Sequence, residues 1–303
     1  MNAAVSLRGL RKTFGDHRAV DDLSFDVPEG TIFGLLGRNG AGKSTTIRMI
    51  MDIIRPDTGE IQVFGHPMAG EVRDRIGYLP EERGLFPKMK VIDAVEFLGS
   101  ISGLSIADAR KAGNDWLDRL ELGKWKTHKV EELSKGMQQK VQFAAAVLTR
   151  PSLLILDEPF SGMDPVNQDI FKDLMLEINR SGTTIIFSTH VMASAERLCR
   201  EIALIDQGKA VLNGSLASIK EKFGNNSIQL EFDGNADFLS SLSGIERIDR
   251  YERYVELLLA DSTPPRTVLE AAIAHVEIKR FEIMTPTLHN IFIQQVGQEP
   301  SDA

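Results

Sequence analysis

Residues 37–45 read Gly-Arg-Asn-Gly-Ala-Gly-Lys-Ser-Thr, and this stretch restricts the fold more than any other part of the chain. The apolar run Thr31–Leu36 precedes it with the composition of a buried strand, and Ser44–Ile54 follows with helical spacing. Strand, glycine turn and helix in that order make a P-loop. Gly37, Gly40 and Gly42 free the backbone to curl. Successive N–H groups, including those of Arg38, Asn39, Ala41 and Thr45, can then converge on phosphate oxygens. The helix N-terminus adds positive potential, Lys43 reaches the β/γ-phosphates, and Ser44 offers its hydroxyl to Mg²⁺. The pattern implies a nucleoside triphosphate as ligand.

The bulk of the chain narrows the setting. At 303 residues it suits one large domain, or a large one with a small companion. A formal charge of −8, with Lys and Arg scattered, argues against a nucleic-acid partner held by phosphate contacts. A single cysteine, Cys199, excludes an internal disulfide and suits a reducing cytoplasm; its place at a helix end reads as packing. No stretch approaches the ~20 apolar residues that cross a bilayer, and the N-terminus lacks the charged and apolar regions of a signal peptide. The expectation is a cytoplasmic protein whose membrane role comes through a partner.

Strand-like runs at Ala4–Leu7, Arg18–Val27 and Glu60–Phe64 make the first part β-rich. From Val91 to Leu148 the period is helical, with polar breaks at 103–105 and 127–133. Ser152–Leu156, Pro165–Arg180, Thr183–Ser188, Val191–Cys199 and Glu201–Ile205 then alternate strand and helix, the pattern of an α/β domain with a parallel sheet. Around Gly224-Asn-Asn226 the texture changes. Residues 1–224 are therefore expected to form the nucleotide-binding domain, with a helical subdomain at about 91–148. Residues 225–303 are expected to form a small α+β domain with a frayed tail. Its strands would be Ile228–Phe232, Tyr251–Leu259 and Val276–Ile283, and its helices Pro265–His275 and Thr287–Val296. Leu257, Leu258, Leu259, Phe281 and Ile291 would fill its core.

Two further segments carry chemistry. In Leu153-Leu-Ile-Leu-Asp-Glu-Pro159 a buried strand ends in two carboxylates, at the edge where such sheets bind ligands. Beside a P-loop, Asp157 is placed to hold Mg²⁺ through water, and Glu158 to orient or deprotonate the water attacking the γ-phosphate; the alternative is an acidic pair in a solvated loop. In Leu133-Ser-Lys-Gly-Met137, Ser134 is either a plain helix cap or, with the N–H groups of Lys135 and Gly136, part of an anion site.

The order P-loop, Ser-Lys-Gly-Met, Leu-Asp-Glu-Pro, Ser161-Gly-Met-Asp164 and Thr189-His190 resembles the ABC ATPase family over about residues 4–215. Pro80–Lys90, the Lys-Gly-Met signature and a terminal Pro-Thr-Leu-x-x-Ile-Phe look like the ATPase subunits of sodium-export-type ABC transporters. The resemblance implies the ABC-type P-loop fold, with ATP and Mg²⁺ as cofactors. It also implies a head-to-tail homodimer in which Ser134, Lys135 and Gly136 of one subunit meet ATP on the other. Asp164 would communicate across that interface, and His190 would contact the γ-phosphate unless it is structural. Phe14 falls where the family stacks an aromatic on adenine, the alternative being a core phenylalanine. Glu81 replaces the family's usual glutamine, so it either joins Ser44 and Asp157 at the metal or faces solvent. The implied partner is an integral membrane permease, docked through 80–90 and 91–148, with ATP hydrolysis powering export from the cytoplasmic face. A soluble ABC ATPase acting on ribosomes or DNA is the alternative, and a P-loop kinase would leave the signature unexplained.

Overall fold

The computed structural model describes residues 2–82, 84–223, 227–260, 262–284 and 286–296. The chain divides into two compact units, one ending at Gly214 and one starting at Ser215. The expected boundary lay later, at Gly224-Asn225-Asn226; that turn and the tail from 297 lie outside the described residues.

In the first unit, β1 (Ala3–Phe14) and β2 (His17–Pro28) form an antiparallel hairpin. Leu23, Phe25 and Val27 alternate inward along β2, the period of a strand with one covered face. β3 (Ile32–Leu36) is buried throughout, and α1 (Lys43–Ile50) begins after the glycine loop. β4 (Thr58–Val63) returns to pair with β1, giving a three-stranded sheet of order β2-β1-β4. The short helix α2 (Gly70–Arg73) leads into β5 (Ile76–Leu79).

Three helices follow: α3 (Val91–Ile101), α4 (Ile106–Arg119) and α5 (Lys135–Val147). Ser105 and Ser134 cap the last two by accepting the N–H of Asp108 and Met137. Helical periodicity predicts a longer α4, running to about residue 126. The helix stops at Arg119 because Glu121 takes a left-handed φ of 62° and a 3₁₀ turn, Gly123–Trp125, follows.

β6 (Leu153–Leu156), α6 (Pro165–Arg180), β7 (Thr184–Thr189), α7 (Met192–Leu198), β8 (Glu201–Asp206) and β9 (Lys209–Ser215) complete the unit. The main sheet has the order β5-β6-β7-β3-β8-β9, with parallel ladders from β5 through β8. Its central strands β6, β3 and β7 are buried along their full length, as a parallel sheet covered on both faces requires. This order brings the C-terminal ends of β3, β6 and β7 side by side.

The second unit contains α8 (Leu216–Lys222), β10 (Ser227–Asp233), β11 (Ile245–Arg250), β12 (Tyr254–Leu259), α9 (Pro265–His275), β13 (Glu277–Met284) and α10 (Leu288–Val296). The strands form one antiparallel sheet, β11-β12-β10-β13. Ile228, Leu230, Val255, Leu257 and Leu259 pack with Val268 and Ala272 of α9. Leu258 is not in that core: strand alternation turns it to the opposite face, where it is half-buried. Phe281 is half-buried against the core, and Ile291 is buried on α10. No strand is expected at 245–250, since Ile245-Glu-Arg-Ile-Asp-Arg250 is mostly charged. β11 lies at the sheet edge, where charge is the usual protection.

Candidate nucleotide site

The loop between β3 and α1 is shaped by two glycines whose added Cβ would strike backbone oxygens. Gly37 has φ 152°, and a Cβ there would stand 2.3 Å from the Ile205 carbonyl oxygen. Gly42 has φ 108°, and its Cβ would stand 2.4 Å from the Ala19 oxygen. Inside the loop, the buried Lys43 Nζ donates to the carbonyls of Gly37 (2.9 Å) and Arg38 (3.1 Å). The same amine lies 3.4 Å from Glu158 Oε1.

Asp157 and Glu158 leave the end of β6 beside this loop. The Ser188 hydroxyl, from β7, ties both down: it donates to Asp157 Oδ1 (2.6 Å) and accepts the Glu158 N–H (2.8 Å). That grip holds Glu158 in the left-handed region (φ 47°), which costs a non-glycine residue about 1–2 kcal/mol. The His190 ring, one residue past β7, sits with Nδ1 3.1 Å from Glu158 Oε1. Lys43, Glu158 and His190 thus meet on one carboxylate oxygen.

A second oxygen cluster lies next to it. Ser44 Oγ is 3.2 Å from Asp157 Oδ1 and 3.4 Å from Glu81 Oε2. Asp157 is fully buried, and burial raises its pKa first of all. Bonds from Ser188 and Ser44 act against that rise, while Glu81 and Glu158 add to it. Its Oδ2 is buried with no hydrogen-bond partner. An orphaned, buried carboxylate oxygen beside a hydroxyl and a second carboxylate suits a hard cation such as Mg²⁺. Among the described residues no cluster of three His, Cys, Asp or Glu forms a complete cage. Mg²⁺ normally takes its remaining ligands from phosphates and water, so the residues fit it. Beneath the cluster, burial and Asp157 push the Tyr78 hydroxyl up to about 12.

Phe14 stands at the tip of the β1–β2 hairpin, 47% exposed, which excludes a core role. Asp57 grips the strand just before it, accepting from Lys12 Nζ and from the Thr13 N–H at 2.7 Å each. Nothing in the sequence marked Asp57 or Ser188 as part of this site. A Ser or Asp in a strand or turn carries no motif, and only the tertiary contact reveals its use.

Ser134 caps α5, accepting the Met137 N–H at 3.3 Å. Gly136 lies against the turn before α6, where a Cβ would meet the Gly162 carbonyl oxygen at 3.2 Å. Asp164 caps α6 and accepts the Asn167 N–H at 3.0 Å. The structure therefore brings the start of α5 and the start of α6 together.

A parallel sheet with a glycine loop after β3 and two carboxylates after β6 defines a P-loop nucleotide hydrolase. A family model described as ABC transporter matches residues 20–161, and one described as ATP-binding protein DrrA1-3-like, C-terminal domain, matches 214–296. The uncharacterized ABC transporter ATP-binding protein YhaQ of Bacillus subtilis (strain 168) is 44% identical, across 95% of this chain and 97% of its own. The daunorubicin/doxorubicin resistance ATP-binding protein DrrA of Streptomyces peucetius is 31% identical, across 99% and 94%. A solved ATP binding subunit of an ABC transporter superposes with a TM-score of 0.67 at 31% identity, covering 73% of this chain and 93% of that one. This chain belongs to the ABC transporter ATP-binding proteins. It is an ATPase, the ATP-binding subunit of a transporter.

Proposed function

We propose that the chain powers export through a separate membrane permease by closing as a head-to-tail homodimer on two ATP molecules with Mg²⁺. The observation that carries this reading is the meeting of Lys43, Ser44, Asp157, Glu158, His190 and Glu81 at neighbouring strand ends. Lys43 and the backbone of residues 37–45 bind the phosphates. Glu158 accepts the proton of the attacking water, and His190 fixes the orientation of that carboxylate and faces the γ-phosphate. Ser44, Asp157 and Glu81 would hold Mg²⁺, which would supply charge neutralisation for the triphosphate. Phe14 offers an exposed ring for adenine to stack on.

Ser134, Lys135 and Gly136 act on the ATP of the second subunit, with Asp164 beside them. This is supported by the contact of Gly136 with the Gly162 turn, which sets the start of α5 beside the start of α6. Among the described residues no helix is long and apolar enough to cross a membrane, so the pathway belongs to the permease. Its docking surface is the region of β5, α3 and α5, on the cytoplasmic face of the membrane. A cleft of about 270 Å³ there is lined by Tyr78, Pro80, Leu85, Leu98, Ile101 and Gln142. Beside it Phe86 and Phe97 stack edge to face, both substantially exposed, and Ile101 and Ile106 are exposed too. Export is the direction because a drug-resistance protein is among the full-length relatives.

Dilution tests the dimer. ATPase activity per molecule should rise with protein concentration. A rate that stays flat to the lowest usable protein, with monomer alone in sedimentation, overturns the proposal.

A further inference from the structure

The second unit holds a cavity that its own core does not explain. Strand register places Arg247, Leu258, Ser227 and Met284 in one row across the sheet, on the face turned away from α9. The next row is Asp249, Glu256, Gln229 and Glu282. α10 lies over the first row and leaves a cavity of about 180 Å³, walled by Leu258, Met284, Pro286, Ile291 and Ile293. Apolar cavities of roughly 150 Å³ already admit benzene-sized molecules.

Charge selects the occupant. The rim carries Arg247, Asp249 and Glu256. Arg247 is committed to Asp249, with Nε and Nη2 at 2.7 and 2.5 Å. Glu282, further along the row, is paired by Arg280. Glu256 stands directly opposite Asp249 in the ladder, a like-charge pairing that costs stability. Among the described residues Glu256 has no ion-pair partner, and α10 contributes no Lys or Arg. An apolar cavity with one uncompensated carboxylate at its mouth is complementary to a cation on an apolar body.

We propose that this cavity is a binding site for a small lipophilic cation, seated with its apolar part against Leu258, Met284 and Ile291 and its charge at Glu256. The second unit then has a ligand-binding role of its own.

Benzyltrimethylammonium tests this on the full-length protein, with benzenesulfonate as the anionic control, by ligand-observed saturation-transfer NMR and calorimetry. The cation should bind at about 1 mM or tighter, as expected for so small a ligand, and the anion should bind at least fivefold more weakly. Glu256→Gln should weaken the cation about fivefold, the size of a partly exposed ion pair, and leave the anion unchanged or improved. Leu258→Arg fills the cavity and supplies Glu256 with its own cation, so it should abolish binding while ATPase activity and the far-UV spectrum persist. Equal binding of cation and anion, no binding of either, or parent-like cation binding by Leu258→Arg overturns the site.

Discussion

Glu158 is held by three groups at once: Lys43, His190 and, through its backbone, Ser188. A carboxylate fixed this firmly can take a proton from a positioned water without first paying for its own ordering. Glu158→Gln keeps the shape but cannot accept that proton, so turnover should fall ~10²–10⁴-fold while ATP still binds. With hydrolysis blocked, ATP-bound dimer should accumulate on gel filtration; Lys43→Ala, lacking the phosphate contact, should show none. Parent-like turnover by Glu158→Gln would identify another base. Glu81 is exposed and accepts from the Ser44 hydroxyl at 3.4 Å, and a role at the metal is a matter for titration. Glu81→Gln should shift the Mg²⁺ midpoint of ATPase activity by about threefold or more and leave ATP affinity nearly unchanged. An unmoved Mg²⁺ titration would return Glu81 to solvent.

The hairpin of β1 and β2 is the element that presents Phe14, and Asp57 anchors it. Bonds from Lys12 and the Thr13 N–H hold the Asp57 carboxyl below its ordinary pKa. A lowered folded-state pKa makes the tether fully present above the ordinary carboxylate range. It is lost as pH falls through that range to the lowered value. Asp57→Ala should loosen the ring and raise the KM for ATP about two- to fivefold with kcat preserved. The cost is then one of positioning and belongs to binding alone. A fall in kcat with unchanged KM would show that Asp57 serves the chemistry by another route.

In the first unit as a whole, Cys199 reports on cohesion. Its thiol is buried under β3, where a Cβ on Gly34 would lie 2.7 Å from Sγ, and burial drives its pKa far upward. The thiolate is the reactive form, so labelling by a thiol reagent should wait for unfolding. ATP with Mg²⁺ at ~100 times its Kd should stabilise the fold by about 2.7 kcal/mol and shift the labelling midpoint to higher denaturant. Rapid labelling of native protein would show that β3 and β8 open locally.

What the linear chain determined is whatever rests on local chemistry. The P-loop, the buried strand ending in Asp157-Glu158, the serine cap of α5 and α6 from Pro165 to Arg180 each carry their cause within a few residues. Glycine at a forbidden φ, a hydroxyl at a helix start and a run of apolar side chains need no distant partner to be recognised. Tertiary structure decided the rest. Ser188 and Asp57 look like any polar residue until the fold sets them against residues 31 and 44 positions away. Likewise β11 exists because β12 offers it an edge, and Leu258 leaves the core because of strand phase. Its neighbour Glu256 becomes notable only when register sets Asp249 opposite. Pairing across a sheet depends on which strands meet, and that is a property of the folded whole.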